Sequence, residues 1–156
     1  SGAVLIALCG ASQRLLSELI RERKIAKTYR AVVCGQIPES GEISLPLLKN
    51  PQNNTVTVDK EGQNALTKYR RLSFDGKYSA VEIDLITGRS HQARVHMAAV
   101  GCPIIGDAKY GDGRDAKRTL LHAYSVAFPD EVKLPQNLRG VTFTAPLPAD
   151  MEGYFK

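Results

Sequence analysis

The sequence is poor in aromatic and sulfur-containing residues. It has no tryptophan and only three cysteines among its 156 residues, namely Cys9, Cys34 and Cys102. They are far apart, odd in number and outside any C-x-x-C pair, which excludes a disulfide framework and a zinc knuckle. His91 and His96 lack the i, i+4 spacing of a helical zinc pair, so we expect no metal site.

A long apolar run is also lacking. The most apolar segment, Ser1–Leu8, is far shorter than the roughly 20 residues of a membrane helix. It has no basic region before it, as a signal peptide would, and we expect a cytoplasmic protein. We interpret this β-branched octet as a buried strand inside a longer protein, so that an N-terminal part is missing here.

Acidic residues are outnumbered by basic ones, 16 against 21, which gives a net charge of +5. Such an excess favours a polyanionic partner without identifying it. A chain of this length buries about 68–70% of its unfolded surface, enough for a core without disulfides or a metal. We therefore predict one domain over residues 1–156. Nothing in the sequence indicates an obligate protein partner, and we expect a monomer.

Hydrophobic periodicity predicts two helices and several strands. Leu15, Leu16, Leu19 and Ile20 form one stripe of a helix over 11–24, with Ser12 as its N-cap. A second helix over 90–100 ends at Gly101. Alternating or β-branched segments predict the strands: 27–35, 42–45, 55–58, 65–72, 78–85, 120–128 and 141–145. This pattern predicts an α+β fold, a mainly antiparallel (mixed) sheet with helices packed on it.

The densest group of polar residues is Thr87–His96, with the sequence TGRSHQARVH, which crosses a strand end, a glycine turn and a helix start. Functional groups collect at such junctions because the first turn of a helix has free N–H donors. Arg94 shares its helix face with a small residue and is a candidate for a buried ion pair. On composition alone, Arg89 and Arg94 are equally well interpreted as surface charges.

Two further motifs follow this segment, GCPIIGDAKYG over 101–111 and LLHAYSVAF over 120–128. In this order the three motifs resemble the RluA-type family of RNA pseudouridine synthases and match its pattern at every fixed position. Lys27–Gly35 and Thr142–Asp150 resemble two more motifs of that family. The resemblance covers practically the whole chain.

The resemblance implies the pseudouridine synthase catalytic-domain fold and a cofactor-independent isomerase. Such an enzyme detaches uracil from its ribose, rotates it and rejoins it through carbon 5, within structured ribosomal or transfer RNA. The family's nucleophile is an aspartate in an R-L-D-x-x-T-S-G motif, and Ser1-Gly2 resemble the end of that motif. The aspartate is then expected four residues before Ser1. The alternative is a non-catalytic RNA-binding domain on the same fold.

Two residues match the family's active site. By resemblance, Tyr29 is the tyrosine that stacks on the uracil, and Arg94 is the arginine that pairs with the catalytic aspartate. A bidentate arginine keeps a carboxylate ionised and aimed, and an aromatic ring supports a flipped base. The alternative for Tyr29 is a half-buried strand aromatic with its hydroxyl in water. We expect Asp107 to order its own glycine-rich loop through local hydrogen bonds.

Arg89 and His91 lie at the turn before the second predicted helix and are the best remaining candidates for contacts with the RNA backbone. His96 and His122 are predicted to make structural hydrogen bonds. Basic residues also cluster within 21–30 and 109–118. These two clusters either hold phosphates or are solvated surface charges.

Overall fold

A computed structural model describes residues 1–156, and a six-stranded antiparallel sheet lies at its centre. The helices are α1 (Gly10–Arg21), α2 (Gln92–Ala99) and α3 (Ala149–Glu152), with single 3₁₀ turns at Gln136–Leu138 and Gly153–Phe155. The strands are β1 (Ala26–Cys34), β2 (Ser40–Ser44), β3 (Leu47–Asn50), β4 (Thr55–Val58), β5 (Leu66–Phe74), β6 (Tyr78–Leu85), β7 (Leu121–Ala127) and β8 (Thr142–Thr144). The main sheet has the order β2-β5-β6-β1-β7-β8, while β3 and β4 form a separate hairpin. The predicted α+β fold is confirmed.

The central strand β1 is packed on both faces. Ala31 and Val33 contribute to a core that also contains Met97 of α2, and Tyr29 packs against the same core. Val32 points to the opposite face, where it packs with Met151 of α3. Because successive side chains alternate across a strand, Tyr29 and Arg30 lie on opposite faces of the sheet.

The hairpin between β5 and β6 sets the register of the sheet beside β1. The Asp75 carboxylate accepts the amide protons of Lys77 and Tyr78 at 2.9 and 2.7 Å. Gly76 takes a left-handed φ of 97°, a conformation in which a side chain would be strained. This turn fixes the pairing of β5 with β6, and Ile83 of β6 pairs with Tyr29 across the β6–β1 ladder.

Residues 1–8 do not form the predicted strand. Gly2 makes one parallel bridge with Ala123, and no ladder follows. The reason is competition for one edge of β7, because β8 occupies that edge from Ser125 to Ala127. The segment instead rests alternate side chains on α1, which leaves Val4, Ile6 and Leu8 mostly exposed.

Two smaller features also differ from the prediction, the N-cap of α1 and the strand β3. Helix α1 begins at Gly10 with Cys9 as its N-cap residue, and Ser12 lies in the first turn with its hydroxyl 3.2 Å from the Cys9 sulfur. The strand β3 was not predicted, because its residues follow a proline in a segment rich in turn formers. No helix is long and apolar enough to cross a bilayer.

Candidate active site

The turn between β6 and α2 is held by the side chain of Gln92, which is 1% exposed. Its carbonyl oxygen accepts the Thr87 hydroxyl at 2.7 Å and the Arg89 amide at 3.0 Å. Its amide group donates to the Leu66 carbonyl and the Thr67 hydroxyl, both at 2.9 Å. Every polar atom of this buried side chain is satisfied, so the turn has one defined conformation.

The network continues into the helix through His96, which is fully buried. Since the Thr67 oxygen accepts a proton from Gln92, its own hydroxyl donates to His96 Nδ1 at 2.9 Å. The other ring nitrogen, Nε2, donates to the Leu45 carbonyl at 3.0 Å. This arrangement requires a neutral ring, and burial lowers the pKa of His96. The predicted structural role of His96 agrees with these contacts.

Arg94 on α2 makes a bidentate ion pair with Asp107, which follows the loop after α2. Nε donates to one carboxylate oxygen at 2.7 Å and Nη2 to the other at 2.6 Å. The Asp107 side chain is 1% exposed and that of Arg94 is 23% exposed. The Arg94 guanidinium is therefore partly exposed to solvent, although the carboxylate that holds it is buried. Its Nη1 makes no hydrogen bond within the chain.

The local loop also holds Asp107, as expected. One carboxylate oxygen accepts the amide protons of Lys109 and Tyr110 at 3.0 and 3.2 Å. Burial alone would raise the pKa of Asp107, but the hydrogen bonds from Arg94 and these two amides outweigh it and lower the pKa. Gly106 has a φ of 71°, and a Cβ there would collide with the Arg118 carbonyl. The loop approaches that closely only because residue 106 is glycine.

His91 is held by Tyr110 from the same loop. The Tyr110 oxygen accepts the Val56 amide at 3.0 Å and lies 2.6 Å from His91 Nδ1. Burial, followed by the positive charges of Arg94 and nearby lysines, lowers the pKa of His91. The other ring nitrogen, Nε2, makes no hydrogen bond within the chain and is available to another group.

Tyr29 lines a separate cleft of about 630 Å³. Its lining includes Gly88 and Arg89 from the turn before α2, and Ile20 and Arg23 from the end of α1. The Tyr29 hydroxyl makes no hydrogen bond within the chain, and burial raises its pKa. The four predicted site residues thus fall into two groups: Tyr29 and Arg89 line this cleft, whereas His91 and Arg94 meet at Tyr110 and Asp107.

The first residue, Ser1, is attached to the strand that neighbours β1. The Ala123 amide donates to the Ser1 carbonyl, and the Ser1 amino group lies 3.4 Å from the Leu121 carbonyl oxygen. Its hydroxyl lies 3.0 Å from Nδ1 of His122, whose Nε2 contacts the Ala145 carbonyl at 3.2 Å. Ala123 in turn pairs with Tyr29 across the β7–β1 ladder. Ser1 is therefore one strand away from Tyr29.

Sequence reasoning missed three residues of this site. Gln92 was not singled out, although a polar residue on the buried face of a helix is a signal that a network exists. Asp107 was expected to serve only its own loop, and Tyr110 was not considered. Both belong to one motif, in which a glycine-rich loop carries polar side chains at fixed spacing. No group of three or more His, Cys, Asp or Glu residues that could hold a metal ion is present.

Comparisons with known proteins agree with the motifs. A family model described as RNA pseudouridylate synthase matches residues 1–99. An uncharacterized RNA pseudouridine synthase of Chloroflexus aurantiacus is 38% identical over 156 residues, which are 97% of this chain and 48% of that protein. Ribosomal large subunit pseudouridine synthase C of Buchnera aphidicola is 36% identical over 160 residues, and the match covers 94% of this chain and 50% of that protein.

The fold has a counterpart among solved structures. Human RNA Pseudouridylate Synthase Domain Containing 1 superposes with a TM-score of 0.73 and 29% identity, over 90% of this chain and 62% of that one. The chain spans about half the length of the curated relatives it matches first. It belongs to the family of RNA pseudouridylate synthases and, by its motifs, to the RluA-type branch of that family.

Proposed function

We propose that the intact protein isomerises specific uridines to pseudouridine in structured RNA, ribosomal or transfer, without a cofactor. The observation that carries this proposal is the Arg94 fork, which is fixed by a buried carboxylate and still has an unpaired Nη1. An arginine held in this way is suited to bind a second carboxylate. Family membership and the name of the Buchnera relative, a ribosomal large subunit enzyme, support the reaction and the RNA class.

The proposed reaction balances without a redox partner. The bond between uracil N1 and ribose C1′ breaks, and a bond between uracil C5 and C1′ forms. C5 loses a proton and N1 gains one, so product and substrate are isomers. A nucleophilic aspartate performs this chemistry only when it is ionised, and Arg94 would keep its pKa low by pairing with it.

We place that aspartate four residues before Ser1. An extended chain of four residues reaches roughly 14 Å, and neighbouring strands lie about 4.8 Å apart. The Ser1 amino group lies at Leu121, whose side chain packs against the same core as Tyr29. A residue just upstream of Ser1 is therefore within reach of the Tyr29 side of the sheet.

Tyr29 would support the flipped uracil. Tyr29 is half-buried against the core and lines the cleft, and its hydroxyl makes no hydrogen bond within the chain. Stacking of a base on an aromatic ring contributes roughly 1–3 kcal/mol. Arg89, on the same cleft, and His91, through its unpaired Nε2, would contact the RNA backbone beside that nucleotide.

The test uses the intact protein and transcripts of ribosomal and transfer RNA. Wild-type protein converts uridine to pseudouridine in at least one transcript, and Arg94→Lys loses at least about 100-fold in kcat, because a lysine keeps the charge but not the fork. RNA affinity changes little. Arg71→Lys is the matched control, since Arg71 is a part-buried arginine that bonds to the Ile37 carbonyl and is not part of the site. RNA binding without conversion by the wild type would favour the non-catalytic alternative.

A further inference from the structure

The structure separates the basic residues of 21–30 into different environments. Lys24 is neutralised by Glu131 and Glu22, with Nζ–O distances of 2.5 and 3.0 Å. Arg30 points to the opposite face of the sheet, where its guanidinium lies 3.7 Å from the centre of the Tyr124 ring. Neither side chain is available to a ligand at the Tyr29 cleft.

Arg23 and Lys27 differ from these residues because both line the cleft that contains Tyr29. Neither makes a side-chain hydrogen bond or an ion pair within the chain. Arg89 lines the same cleft, and its Nε donates only to the backbone carbonyl of Asn64 at 3.1 Å. The single carboxylate of the lining, Asp84, already accepts the Thr28 hydroxyl at 2.9 Å.

Arg23 has a backbone conformation that is unusual for an arginine. The amides of Arg23 and Lys24 donate to the Ile20 and Leu19 carbonyls, which ends α1 in a Schellman motif. Arg23 takes a left-handed φ of 59° in that motif, where glycine avoids a strain of roughly 1–2 kcal/mol. Arg23 therefore keeps a strained backbone conformation at a position that lines the cleft.

The cleft combines two surfaces of different character. Its lining contains the apolar side chains Ile20, Ile25 and Ile86 together with Tyr29, and it also contains the three cations that make no ion pair, Arg23, Lys27 and Arg89. An aromatic platform next to a cationic groove is the arrangement that binds single-stranded nucleic acid, because bases stack on the ring and phosphates lie along the cations. An acidic peptide would use the cations but would leave the stacking platform unused.

We propose that Arg23 and Lys27 form the phosphate-binding side of an RNA groove that runs from the end of α1 to the Thr87–Ser90 turn. The strand lies with its backbone against these two cations and places one base on Tyr29. This inference rests on the proposed function for the nature of the ligand. It adds two residues that contact RNA and a direction in which the strand crosses the cleft.

The experiment measures binding of the intact protein to a labelled oligouridylate of about twelve nucleotides, at several KCl concentrations between about 50 and 200 mM. The variant is Arg23→Gln/Lys27→Gln. The matched control is Arg14→Gln/Arg21→Gln, which removes the same charge from two arginines of α1 that line a different depression. Arg23→Lys/Lys27→Arg tests whether the charge alone is sufficient.

The slope of log affinity against log salt should fall by about 1.4 in the Arg23→Gln/Lys27→Gln variant, since each phosphate contact on a single strand contributes about 0.7. The control and the charge-preserving variant should keep the wild-type slope. Equal slopes for the Gln variant and the wild type, or equal loss in the variant and the control, would overturn the groove. Failure of the wild type to convert uridine would count against the proposed function and leave the binding result to decide the groove.

Discussion

The ion pair between Arg94 and Asp107 should be strongly coupled, and a double-mutant cycle measures this directly. In the Arg94→Met variant the Asp107 carboxylate stays buried, since its side chain is only 1% exposed. Its Oδ2 atom, which accepts a hydrogen bond only from Arg94, then has no donor. Removing one partner of a buried pair costs about 3–5 kcal/mol of unfolding free energy. Asp107→Asn puts an amide against Arg94 Nε, but the guanidinium is 23% exposed and can bind water. We expect a smaller loss of about 1.5–3 kcal/mol.

The double variant Arg94→Met/Asp107→Asn should be about as stable as Arg94→Met alone. In the absence of Arg94, the cost of replacing Asp107 is offset because an unpaired buried charge is removed. The two single losses then exceed the double loss by about 2 kcal/mol, the coupling energy of the pair. The assay is urea unfolding of the wild type and the three variants at neutral pH. The pair of Lys68 and Glu42, with both side chains about half exposed, is the control and should show about 0.2–1 kcal/mol.

The pH dependence of this cycle has a definite sign. The pKa of Asp107 is lowered in the folded protein, so its stabilising contribution is present above the unfolded value of about 3.9. It is lost as the pH falls through the folded pKa. The difference between wild type and Asp107→Asn should therefore shrink below about pH 4. A coupling energy below about 1 kcal/mol at neutral pH, which is the range of exposed pairs, would show that Arg94 and Asp107 are not strongly coupled.

Three further predictions follow from the same site. Gln92→Leu should lower the unfolding free energy by about 1–3 kcal/mol, measured by urea unfolding, because Thr87 and Thr67 lose their partner; a change within error would show that water replaces the amide. Burial lowers the pKa of His96, so the contribution of the neutral ring to the free energy of unfolding is present above about pH 6.5 and is lost as the pH falls. His96→Asn should therefore weaken the pH dependence of the unfolding free energy below about pH 6.5. An unchanged pH dependence in the variant would contradict this prediction. Tyr29→Phe should retain RNA affinity, whereas Tyr29→Ala should lose roughly 1–3 kcal/mol of binding free energy; equal affinities would argue against stacking.

Much of the fold could be predicted because its signals are local. Strand β6 has the predicted bounds, since an alternating pattern is followed by a polar turn. Helix α2 ends where Gly101 takes a left-handed φ of 78°, as the glycine before a proline indicated. The strand predicted at Ser1–Leu8 failed because a strand needs a partner edge, and no local pattern shows that β8 already occupies the edge of β7.

The contacts of the candidate site were less predictable than the residues that make it up. The motif singled out Arg94 and Tyr29, whose roles stay predictions, but the partner of Arg94 lies 13 positions away in a loop. Only packing of that loop on α2 brings the two side chains together. The same holds for the 21–30 cations. Five basic residues look alike in sequence, and the structure turns Arg23 and Lys27 toward the cleft while it pairs Lys24 with carboxylates.

The proposed isomerisation of uridine in RNA by the intact protein is tested by a map of pseudouridine in cellular RNA. RNA from cells that contain the intact protein is compared, nucleotide by nucleotide, with RNA from cells that lack it and from cells that carry the Arg94→Lys variant. We predict that one or a few uridines in ribosomal or transfer RNA are modified only in the first case. Identical maps from the three kinds of cell would contradict the proposal that this protein isomerises uridine.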